Sequence, residues 1–176
     1  VAHYFPERYL SQWFAERGED VKIWCFHRTG VQPLAEAYYA LSEELRADTV
    51  ILVDGGTDSL MKGDEVSLGT PQEDIASIAA VDELIYVKKK MLVSVGFGVD
   101  SFHGICHAQF LRAVAELTKE GAYLGTLSLL GESDEVTQYK EATNFVHEAM
   151  PGNKSIVNSS VLAALDGEFG DHHATS

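Results

Sequence analysis

The residues best suited to chemistry lie in two short stretches. Residues 53–65 read VDGGTDSLMKGDE, in which Asp54, Asp58, Asp64 and Glu65 crowd around glycines with Lys62 as the one cation. Carboxylates at that density can unite on a divalent metal such as magnesium or manganese. A free phosphate, by contrast, is repelled by the same charges unless a cation intervenes. Gly55 and Gly56 permit positive φ and close backbone approach to a ligand. A purely structural role competes with these: Asp54 and Asp58 can form Asx-turns or cap amides, leaving Asp64 and Glu65 solvated.

The second stretch, residues 96–107, reads GFGVDSFHGICH. On a continuous helix His103 and His107 stand one turn apart on one face, with Asp100 just ahead of them. His103, in the first turn, is the candidate general acid or base, and Asp100 can cap the helix or orient the imidazole. His107 aligns with Phe110, Leu111 and Val114 and reads as a core residue. HGICH lacks the glutamate of a zinc-protease helix and the second cysteine of a zinc knuckle, so it is no metal motif by itself. Arg28, just past an apolar run, could grip an anionic group. Asp171, His172 and His173 either complete a site or merely end the chain.

These stretches need elements to place them. Pro6 opens a helix with Tyr9, Leu10, Trp13 and Phe14 on one face, and Gly18 closes it. VKIWCF (21–26), TVILV (49–53), MLVSVGF (91–97) and residues 122–129 read as four strands. Pro33 starts a helix with Leu34, Tyr38, Leu41 and Leu45 on one stripe. Thr70, Pro71 and Glu73 form a capping-box start for another that runs to about Leu84. Further helices follow Gly98, span Asp134 to Ala149, and span Ser155 to Leu165. Such alternation predicts parallel strands joined by crossover helices, in a Rossmann-like three-layer α/β sandwich forming one domain. Ligands of such folds lie beyond the carboxyl ends of the strands, where both chemical stretches fall.

The 176 residues carry a net charge of −14, which argues against nucleic acid and anionic membranes as partners. There is no apolar run of membrane-spanning length and no secretory signal. The two cysteines, Cys25 and Cys106, read as buried reduced thiols. A cytoplasmic protein is expected. The chain opens on Val1 and closes on GDHHATS, which suggests a piece of something longer.

The segment DGGTDS resembles the S-G-G-x-D-S signature of PP-loop ATP pyrophosphatases at Gly55, Gly56, Asp58 and Ser59. It departs at Asp54, a carboxylate where that family has a hydroxyl beside phosphate. A broader likeness covers nearly the whole chain. VDGGTDSLMKGDE, LGTPQEDIASIAAV, VGFGVDSFHGICHAQFL, PGNKSIVNSSV and GDHH, in that order, resemble the family "domain of unknown function 1152". The resemblance implies a Rossmann-like protein. It also implies that glycine-rich opening and C-terminal segments lie outside this chain, and it assigns no catalytic residues.

The expected function is a metal-assisted hydrolase or transferase acting on a small molecule or nucleotide. Asp58, Asp100 and His103 are its candidate catalytic residues. Gly55, Gly56, Ser59, Gly98 and Arg28 are candidate ligand-binding residues, and Asp54 and Asp58 candidate ligands of a divalent metal such as Mg. A homo-oligomer is compatible with this reading. The alternative is a non-catalytic ligand-binding or assembly domain.

Overall fold

The computed structural model describes residues 4–67, 69 and 71–173, except the side chains of Phe102 and His103. The chain divides into two compact units, Val1–Cys25 with Gly125–Ser176, and Phe26–Leu124. Among the described residues there are six α-helices and a two-stranded parallel sheet.

The first unit is helical. Pro6 opens α1 (Pro6–Glu16), whose apolar face packs on α5 (Asp134–Ala149). Trp13 is buried in α1, with the Arg17 guanidinium 4.6 Å above its ring. Arg17 also reaches Glu141 of α5 at 2.8 Å. Ser133 caps α5 by accepting from the Val136 amide, and Ser155 caps α6 (Ile156–Leu165) by accepting from Asn158. His147 accepts the Ser155 amide, and burial pushes its pKa down.

The second unit holds both chemical stretches. It runs α2 (Val31–Leu45), β1 (Thr49–Asp54), α3 (Gln72–Asp82), β2 (Lys89–Ser94) and α4 (His107–Lys119). β1, α3 and β2 form one strand–helix–strand crossover, and the strands pair in parallel from Thr49 opposite Lys89 to Asp54 opposite Ser94. The core gathers around Leu84, 2% exposed, which packs with Val81, Val87, Tyr38, Val50 and Leu52. Leu34 and Ala35 of α2 meet Ala80 of α3 in a second cluster.

Several sequence expectations are corrected here. Val21–Phe26 and residues 122–129 form no strand, so neither extends the sheet. β-favouring composition makes a strand only where a ladder forms, and among the described residues the only ladder joins β1 and β2. Leu127 is accordingly 95% exposed. The helix expected from Gly98 onward is broken: residues Val99–His103 form a 3-10 turn and α4 begins only at His107. Gly104, at φ 85, ends that turn, so His103 and His107 do not share a continuous helical face. Cys25 and Cys106 are exposed rather than buried. His107 is exposed too, with its ring 5.2 Å from Phe97 and out of the core. Thr70, the expected cap of α3, lies outside the described residues.

Candidate functional site

An apolar strand followed by DGG delivers its last residue, Asp54, to the carboxyl end of the sheet. Gly56, at φ 146, turns the chain, and a 3-10 turn at Asp58–Leu60 follows. A PP-loop would continue into a longer helix at this point; only this three-residue turn forms. The turn buries Asp58 and Ser59. Gly69 passes so close to Asp58 that a Cβ there would lie 2.5 Å from its carboxylate. From the first turn of α3 comes Asp74.

These three aspartates converge. One carboxylate oxygen each from Asp54, Asp58 and Asp74 lies within 4.8 Å of the others. Two oxygens on opposite sides of one cation are separated by twice the metal–oxygen distance, roughly 4.2 Å for magnesium and roughly 4.8 Å for calcium. The donor set is all oxygen, which suits a hard cation. Separations up to that 4.8 Å limit are of the order that two ligands of one hard cation span.

Electrostatics agree with that fit. Burial, reinforced by Asp54, Asp58 and Asp100, pushes the Asp74 pKa up to about 6. Burial also raises Asp54, opposed by the Ser59 hydroxyl and amide. The Ser59 amide donates to Asp54 at 3.3 Å. The buried Ser59 hydroxyl, by contrast, makes no hydrogen bond of good geometry. Asp54, Ser59 and Asp74 line a pocket of about 280 Å³, whose remaining wall includes Tyr38, Val50 to Val53, Ile78 and Leu92. An oxygen-rich end thus opens onto an apolar body.

The other expected site residues divide clearly. Asp100 is 4% exposed and binds Thr57, accepting its amide in a very short contact and its hydroxyl at 3.0 Å. The His103 side chain lies outside the described residues. Gly55 and Gly56 form the turn after β1. Gly98 packs beside the His107 imidazole and does not line the pocket. Arg28 pairs with Glu73 of α3, both largely exposed, rather than facing the pocket. Asp64 and Glu65 lie apart from the carboxylate cluster. Glu65 accepts the Lys62 and Gly63 amides, which lower its pKa, and Lys62 pairs with Glu116. In the other unit, His173 stands 3.2 Å from Asp171.

A model for the family described as Protein of unknown function (DUF1152) matches residues 10–173. The chain belongs to this family. No curated protein and no solved structure matches it. The DUF1152 residue that sequence reasoning missed is Asp74. Its position in the first turn of a helix after β1 was a usable signal, but an acidic residue there reads equally well as a partner of the helix dipole.

Proposed function

We propose that this DUF1152 protein binds a divalent cation through Asp54, Asp58 and Asp74, and acts on a small anionic molecule as a metal-assisted hydrolase or transferase. The convergence of three carboxylates within 4.8 Å carries this reading. Asp54 and Asp58 both oppose the charge on Asp74, and a shared cation relieves that repulsion. The buried Ser59 hydroxyl, which also helps hold Asp54 ionised, supports it as a further polar group beside the cluster. When bound, the cation supplies Lewis acidity. Asp54, Asp58 and Asp74 would hold it, Ser59 would hydrogen-bond the ligand, and His103 would exchange the proton. The apolar body of the pocket suits the less polar part of a nucleotide-sized molecule.

The test is calorimetric titration of magnesium, manganese and calcium into the protein and into Asp54→Asn and Asp58→Asn. Binding by the parent chain, lost in both variants while their metal-free melting curves stay cooperative, supports the site. Equal binding by all three proteins, or none by the parent, removes it.

We also propose that β1 and β2 are the nucleus of a Rossmann-like three-layer sandwich. Supporting this is their parallel pairing through the α3 crossover. Hydrogen exchange tests it: amides of Ile51–Val53 and Met91–Val93 protected on both edges of each strand, as in the interior of a wider sheet, are expected. Exchange at the rate of an open chain rules the sandwich out.

A further inference from the structure

Asp100 stands behind the carboxylate cluster rather than in it. Its oxygens are not among those that converge, and it does not line the pocket. It reaches instead across from the turn after β2 to the turn after β1, where both donors of Thr57, amide and hydroxyl, point at one carboxylate oxygen. Thr57 is 3% exposed, so water does not share this contact. The approach is possible because residue 56 is glycine: a Cβ there would lie 2.5 Å from the Asp100 carboxylate. Asp100 is itself held, since its carbonyl accepts the Ile105 amide at 3.1 Å.

The gripped peptide immediately precedes Asp58 and lies three residues after Asp54. A buried anion here adds to the repulsion felt by Asp54 and Asp74. Such a placement is unfavourable for a group that only fills space, because an apolar residue would pack without the charge. Its two hydrogen bonds to Thr57 fix the orientation of the turn that presents Asp58 beside Asp54.

We infer that Asp100 is a positioning residue: it clamps Thr57 and thereby sets the separation of Asp54 and Asp58 for cation binding. This rests on the cation site proposed above. The support a ligand receives from hydrogen-bonded neighbours changes metal affinity by about 10–100-fold when removed.

The experiment compares Mn²⁺ affinity, by calorimetry, in the parent chain, Asp100→Asn and Asp100→Ala, with melting curves in chelator as the folding control. Asp100→Asn keeps an acceptor for the Thr57 amide and loses the charge; Asp100→Ala loses both. The expected result is affinity within about threefold of the parent for Asn and a loss of about tenfold or more for Ala. Parent-like affinity in Asp100→Ala overturns the inference while leaving the cation site standing. Equal loss in both variants also overturns it, because charge or direct ligation would then be the cause. No Mn²⁺ binding by the parent overturns the cation site, and the inference with it. If Asp100→Ala does not fold, Thr57→Val removes only the hydroxyl donor. Weakened Mn²⁺ binding in Thr57→Val then supports the clamp, and unchanged binding overturns it.

Discussion

Replacing Asp74 by Asn removes one of three mutually repelling carboxylates while keeping the side chain's shape. In the folded chain this group titrates near about 6 instead of the ordinary 3.8. At about 1.36 kcal/mol per pH unit the gap amounts to about 3 kcal/mol against the folded state once the group ionises. The carboxylate is only partly buried, so water screens the interaction and about 1 kcal/mol is the realistic remainder. Below pH 3.8 the group is protonated whether folded or unfolded, and the substitution changes nothing. As pH rises from 3.8 towards 6 the unfolded chain loses its proton first, so the folded state becomes progressively less favoured. Above that window the penalty is constant. Metal-free Asp74→Asn should therefore melt about 2–4 °C above the parent at pH 8 and together with it at pH 3.5. Because Asp54 is raised in the same cluster, the transition belongs to the coupled group. Saturating Mn²⁺ should reverse the order at pH 8 by stabilising the parent alone. An Asn variant that melts at or below the parent at pH 8 without metal would show that burial and the neighbouring carboxylates do not disfavour the Asp74 charge.

Other changes address the frame around the site. Gly56→Ala puts a Cβ 2.5 Å from the Asp100 carboxylate at a φ of 146°, and a loss of about 2 kcal/mol or more in urea unfolding is expected. Leu84→Ala opens a cavity beneath α3 and β1, and the same assay should register a loss of about 2–4 kcal/mol. Ser133→Ala removes the cap that accepts from Val136 and should lower stability by about 1 kcal/mol, read from the midpoint of helix loss by circular dichroism. Asp54→Asn should weaken Mn²⁺ binding at least tenfold, whereas Glu65→Gln, at a carboxylate occupied with the Lys62 and Gly63 amides, should leave it unchanged.

Where a signal was local, the chain disclosed it. Pro6 opens α1, the span of α5 agrees at both ends, and Ser155 caps α6, because caps, prolines and apolar periodicity act within a few residues. TVILV likewise reads correctly as β1, and its carboxyl end does carry the acidic loop. Signals that depend on distant partners were not legible. VKIWCF has the composition of a strand, yet pairing is decided by what lies alongside it. GFGVDSFHGICH has the spacing of a helix, yet Gly104 in a left-handed conformation splits it and separates His103 from His107.

The candidate site divides along the same line. From sequence alone come the acidic and glycine-rich character of the turn after β1, its place at the carboxyl end of a strand, and the choice of hard oxygen donors. Composition and nearest-neighbour spacing are enough for those. Only the tertiary structure decides that Asp74 joins Asp54 and Asp58, that Asp64 and Glu65 do not, and that Asp100 grips Thr57. Asp74 lies sixteen residues beyond Asp58 and Asp100 forty-three beyond Thr57. Their meeting depends on the crossover through α3 that folds two strand ends to one edge, a geometry no local pattern encodes.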